Sequence, residues 1–272
     1  MSYETRPQAV QLGCSRNYGV QNCGQMEPMA SQIEHDPARL LPAGDMGILV
    51  EFGSIYAPSI NNAVLAFDAA FTAQLPKGVI ETVPSFRSLL VRFDPLSLVF
   101  EDLENRLQTL LAAQDWYSAP PPENRRKWVL PVVYGGTHGP EIAEVADLMQ
   151  MREDQVADAH ATAVLNVAML GFSPGLAYLG QLPEIWQFPR RTTINPKVPA
   201  GGILVAVRQT VLPATDIPTG WWQIGQTPFR SFDLTGKQPF LLSPGDEVRF
   251  EVVTQAKYAT FDMDDFLRKA RS

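Results

Sequence analysis

The chain has 272 residues, of which 45% are apolar and 19% charged, enough for one large globular domain or two smaller ones. Its net charge of -7 excludes nucleic acid as a main partner, because phosphate binding needs an excess of Lys and Arg. No apolar window approaches the roughly 18 residues of a bilayer span, and the N-terminus lacks the apolar segment of a secretory signal, so a cytoplasmic protein with no membrane partner is expected.

Residues 1–35 are rich in Gln, Ser, Asn, Gly and Met without any period, and are expected to form a flexible extension. Cys14 and Cys23 within it suggest neither a disulfide framework nor a metal site. A strand is expected over 43–52, then an amphipathic helix over 59–74 with Ile60, Val64, Phe67 and Phe71 on one face. Strands over 79–83 and 88–93 flank Pro84-Ser85-Phe86-Arg87, and a second helix over 98–113 lines up Leu103, Leu107, Leu110 and Leu111. Pro120-Pro121-Pro122 marks a linker, Arg125-Arg126-Lys127 reads as a solvated basic run, and 127–134 reads as a further strand. That order, βαββαβ, is the split pattern of a ferredoxin-like α+β unit.

Two short helices are expected over 139–150 and 153–163. Beyond Asn166 the chain becomes short apolar runs between Gly/Pro turns, at 166–171, 202–207, 222–224, 240–242 and 247–253, the spacing of an all-β sandwich or barrel. The expected layout is an extension over 1–35, an α+β domain over 36–125, a barrel over 126–255, and a tail with a short helix over 256–272. Strand 127–134 either opens the barrel or closes the first domain.

The chemistry-bearing residues concentrate in 170–233. Gly171-Phe172-Ser173-Pro174-Gly175 fits the GxSxG nucleophile pattern but not its mechanism. The residue after the Ser must donate its N–H to the oxyanion, and Pro174 has none. All three histidines, His35, His138 and His160, also precede Ser173, whereas that triad needs a later one. His160 suits either a core role or an acid/base role, while His138 reads as a loop residue. Arg190, Arg191 and Lys197 either hold a carboxylate or phosphate or form a solvated loop. Trp221-Trp222 either lines a pocket or packs, and no metal-ligand spacing is visible.

These residues also carry a resemblance. Arg39-Leu40-Leu41-Pro42-Ala43-Gly44-Asp45, Pro84-Ser85-Phe86-Arg87-Ser88-Leu89-Leu90-Val91, Met169-Leu170-Gly171-Phe172, Tyr178-Leu179-Gly180, Val198-Pro199-Ala200-Gly201, Gln209-Thr210, Gly220-Trp221 and Thr227-Pro228 occur in this order. From about Leu40 to Phe250 the chain resembles the KipI / allophanate hydrolase subunit 1 family, which includes the B subunit of bacterial 5-oxoprolinase. The resemblance implies an α+β domain followed by a cyclophilin-like β-barrel. It implies a partner, a subunit 2 homologue (like the C subunit of 5-oxoprolinase), with a homologue of the A subunit as a further one. It also implies a small-molecule substrate and ATP used by the complex, which opens 5-oxoproline to glutamate. Two alternatives come with it: inhibition of a sensor histidine kinase, and a biotin-dependent carboxyltransferase component.

On this reading the substrate pocket is formed by Phe172, Pro174, Gly175, Tyr178, Arg190, Lys197, Gln209, Thr210 and Trp221, with His160 as proton carrier. The chain departs from the family pattern at Leu204, Val207 and Val211, where glycines are usual, and at Pro213, Ile217 and Gln226, where Tyr, Ser and Arg are usual. Those changes add bulk and remove polar groups at the implied ligand site.

Overall fold

The computed structural model describes residues 36–270 apart from Asn124 and Lys237. The expected extension over 1–35, with Cys14, Cys23 and His35, lies outside the described residues.

The first core is built on an antiparallel sheet ordered β1-β2-β4-β3, from β1 (Arg39–Pro42), β2 (Gly47–Glu51), β3 (Val79–Pro84) and β4 (Ser88–Phe93). Helix α1 (Pro58–Thr72) begins on Pro58, whose fixed φ suits the first helical turn. Its Ile60, Val64, Phe67 and Phe71 are buried as their spacing predicts, in one cluster with Val50, Leu89 and Val91. Helix α2 (Phe100–Leu111) adds Leu103 and Leu107, and Trp116 meets Phe67 edge-on at 5.2 Å.

The expected βαββαβ order is corrected at its last strand. Residues 127–134 form β5 (Lys127–Tyr134), which belongs to the barrel. The place beside β2 is taken by β1, which reaches it through a 3-10 turn over Gly44–Met46. Four residues ending in Pro are too short to show a period, whereas Lys-Trp-Val-Leu-Pro-Val-Val-Tyr is nearly continuous apolar, as in a strand covered on both faces.

The second core is a closed barrel ordered β10-β7-β6-β13-β5-β12-β9. Its strands are β5, β6 (Leu165–Leu170), β7 (Ala177–Gly180), β9 (Gly202–Ala206), β10 (Gln209–Leu212), β12 (Trp222–Gln226) and β13 (Glu247–Val252). Leu130, Val132, Val167, Leu179, Ile203, Val205, Leu212, Ile224 and Val248 belong to one buried cluster, so the barrel is a packed core, not a pore. Helices α3 (Ile142–Met149) and α4 (Glu153–Ala161) pack against it, as does α6 (Met263–Ala270) through Phe266, stacked on Trp128 at 6.3 Å. A short α5 (Gln255–Ala259) precedes α6.

β8 (Asn195–Val198) and β11 (Ile217–Thr219) pair as a two-stranded flap. Beneath it lies a third cluster of Leu176, Val198, Leu204, Ala206, Val211, Ile217 and Trp221. Three of the departures from the family pattern, Leu204, Val211 and Ile217, thus pack together. The strand expected over 240–242 is reduced to a single bridge between Phe232 and Phe240, since Pro239 and Pro244 limit ladder hydrogen bonds there. The basic run is more than a solvated linker: Arg126 and Lys127 are exposed, but Arg125 pairs with Glu247 at 3.0 Å and Arg126 with Asp246 at 2.6 Å, because β5 and β13 run in parallel register.

Asn61 ties the two cores. Its side-chain amide donates to Ser85 O (3.0 Å) and Phe86 O (3.2 Å) at the β3–β4 turn and to Ala168 O (3.1 Å) on β6.

Candidate functional site

The residues expected in one pocket are distributed over three places, and strand geometry explains why. Along β10 successive side chains alternate faces. Thr210 and Leu212 point into the barrel, while Val211 joins the outer cluster under the flap.

Inside, His160 at the end of α4 is fully buried. Its Nδ1 meets the Tyr134 hydroxyl at 2.7 Å, and its Nε2 meets Thr210 Oγ1 at 2.9 Å. The ring stacks on Phe250 at 4.7 Å and meets Trp186 edge-on at 5.7 Å. Burial lowers its pKa to about 3, and burial also raises that of Tyr134 well above 10. A neutral ring donates from one nitrogen and accepts at the other, so Tyr134, His160 and Thr210 form one fully partnered chain. This geometry supports the core role for His160 over the proton carrier, because a sealed ring that resists protonation has no route to a substrate.

Outside, Tyr178, Arg190 and Trp221 lie together. The Arg190 guanidinium lies over the Trp221 ring at 5.1 Å, and Tyr178 meets Trp221 edge-on at 6.3 Å. Burial raises the Tyr178 pKa, and the Arg190 charge partly opposes that shift. The row continues into the first core. Phe86 meets Tyr178 at 5.5 Å, and Tyr56 meets Phe86 at 5.1 Å. Gly180 allows this approach, since a Cβ there would sit 2.9 Å from the Tyr56 hydroxyl. Phe86 and Tyr56 lie outside the expected set; an aromatic at the tip of the Pro84–Arg87 turn was the available signal. Arg190 makes no ion pair among the described residues. Lys197, on the flap, is paired with Asp216 at 3.3 Å, and Arg191 is held by buried Glu141 at 2.7 Å. Arg190 is therefore the cation of the expected trio that is open to an anion.

At the barrel end, Phe172, Pro174 and Gly175 form the β6–β7 turn. Phe172 stands 76% exposed at a φ of 72°, and Gly175 packs so closely that a Cβ would meet Phe232 at 2.3 Å. Gln209 opens β10, partly buried, opposite Gly180 and Ala206. It follows a two-residue hairpin turn in which Val207 (φ 44°) and Arg208 (φ 62°) are both left-handed. Among the described residues, no group of three or more His, Cys, Asp or Glu side chains is placed to hold a metal ion, and no helix is long and apolar enough to cross a membrane.

Residues 38–242 match the carboxyltransferase domain family, subdomain C and D. The chain is 33% identical over 232 residues to the 5-oxoprolinase B subunit of Bacillus subtilis (strain 168), a match that spans 80% of this chain and 94% of that one. It is 38% identical over 174 residues to the 5-oxoprolinase B subunit of Escherichia coli O157:H7, spanning 63% of this chain and 77% of that one. Among solved structures, Kluyveromyces lactis urea carboxylase shares the fold at a TM-score of 0.66 and 18% identity; the match covers 86% of this chain and 25% of that enzyme. With the match covering residues 38–242, well over half of its length, the chain belongs to the carboxyltransferase domain family, subdomain C and D.

Proposed function

We propose that this chain is the B-type component of a multi-subunit 5-oxoprolinase-type hydrolase in the cytoplasm. The complex adds water across the ring amide of 5-oxoproline to give glutamate, coupled to ATP hydrolysis. The reading is carried by the 33% identity that extends over 94% of the Bacillus subtilis relative.

On this reading the outer row of Arg190, Trp221, Tyr178 and Phe86 is the chain's contribution to the shared site. Arg190, stacked and unpaired, holds an anionic group of a substrate, and the aromatic edges form the wall beside it. His160 and Thr210 act as positioning residues that hold β10 from inside. ATP belongs to the complex, not to this chain alone. The Gly201 and Gly202 amides already donate to Pro213 O and Pro199 O, so that turn offers no cradle for phosphate. A subunit 2 homologue, with an A-type partner, supplies the remainder.

The test is to tag the chain, purify it from its own host and identify what accompanies it by mass spectrometry. Recovery of a subunit 2 homologue supports the proposal. Recovery of a sensor histidine kinase or a biotin-carrying protein without it would replace the proposal with a regulator or a carboxyltransferase component.

A further inference from the structure

Where β9 begins and β10 and β12 end, three turns of the chain enclose a cleft of about 300 Å³. Gly201, Pro213, Thr227, Phe229, Arg230 and Tyr258 line it. Its floor is fixed backbone. The Gly201 N–H donates to Pro213 O, and Gly201 O accepts from Thr227 N–H, both at 2.8 Å. Gly201 has a φ of 79°, and a Cβ there would lie 2.2 Å from Thr227 O, so only glycine keeps this floor.

Arg230 is the charged residue of the lining. It is exposed and makes no ion pair or hydrogen bond among the described residues. Hydrogen bonds from Thr235 lower the pKa of Asp233, and the nearby Arg230 charge adds a smaller effect in the same direction. Asp233 Oδ1 accepts from the Thr235 N–H at 2.8 Å and hydroxyl at 2.6 Å, and it forms no ion pair with Arg230 among the described residues. Tyr258 is half-buried, and its hydroxyl has no partner among the described residues. Against the Tyr258 ring, at 4.6 Å, packs His138, whose Nε2 is buried without a partner. A planar guanidinium fork and a phenol donor thus border an otherwise uncharged cleft, at the small end of ligand-pocket size.

We propose that this cleft binds a small carboxylic acid, its carboxylate held by the Arg230 guanidinium and the Tyr258 hydroxyl beside His138. The cleft shares no residue with the Arg190 row and does not depend on the chain's place in a complex.

The test uses the full chain labelled with ¹⁵N, titrated with acetate, with 5-oxoproline, and with uncharged 2-pyrrolidinone. The expected result is saturable shifts at Gly201, Thr227 and the Arg230 side-chain N–H with at least one of the two carboxylates, and none with 2-pyrrolidinone. Arg230→Gln should weaken binding roughly tenfold or more. Arg230→Lys, which keeps the charge but loses the fork, should fall between the two. No saturable shift at these residues, equal shifts with 2-pyrrolidinone, or unchanged affinity in Arg230→Gln would overturn the proposal. Unchanged spectra at β2 and β4 serve as the folding control.

Discussion

Replacing His160 with Gln tests whether the barrel interior is sealed. Gln keeps a neutral hydrogen-bonding group beside the Tyr134 and Thr210 hydroxyls that His160 joins, but takes no proton. Stability changes with pH wherever the folded and unfolded chains bind different numbers of protons. For His160 that window runs from 6.5, its ordinary value, down to about 3, and within it the unfolded chain binds the extra proton. Stability therefore falls as pH falls below 6.5, by roughly 1.4 kcal/mol for each pH unit. Urea unfolding of both chains at pH 7.5 and 5.5 measures this. Other titrating groups act equally in the two chains and cancel in the comparison. His160→Gln should be less stable at both pH values, by roughly 1–3 kcal/mol from poorer packing and hydrogen bonding. Its loss between them should be smaller than that of the parent by about 1.4 kcal/mol. Equal losses would mean that His160 takes up a proton in the folded barrel, which refutes the sealed geometry and returns the residue to candidacy as a proton carrier.

Asn61→Ala should cost roughly 1–3 kcal/mol, read from thermal unfolding, because three carbonyls across the two cores lose one donor. Asn61→Asp should cost more, since a carboxylate would face those same oxygens. Burial raises the pKa of Asp68, and its Oδ1 is buried without a partner, so the charged form is disfavoured in the fold. Stability from this group is present below its unfolded pKa and is lost as pH rises through the folded value. Asp68→Asn should therefore raise the melting temperature at pH 7.5, with a gain that shrinks toward pH 4. Arg190→Gln should abolish activity of the assembled complex while leaving the melting temperature unchanged, because Arg190 is exposed and its one described partner is a ring face.

Both helices of the first core were legible because their apolar residues recur at 3.6-residue spacing, and all of the α1 stripe is buried. Two longer barrel strands were legible for the same kind of reason: β9 is a continuous apolar run of five residues, and the six residues of β13 alternate charged and apolar side chains. The strands missed by sequence, β1, β7, β8, β10 and β11, have three or four residues, and three of them contain Pro. Strand identity did not reveal pairing, so Arg125 and Arg126 read as solvated although Glu247 and Asp246, far along the chain, sit opposite. The outer row shows the same limit. Tyr178, Arg190 and Trp221 were legible by residue type, while Tyr56 and Phe86 reach them only through the docking that Asn61 anchors. His160 and Thr210 were grouped with that row, and only the alternation along β10 separates them.

The most direct test of the central claim is reconstitution. The chain is co-expressed with the subunit 2 homologue and the A-type homologue of its own genome, and ATP-dependent release of glutamate from 5-oxoproline is measured with and without it. The account predicts activity only when this chain is present. Full activity of the other components alone, or none from the complete set, would contradict it.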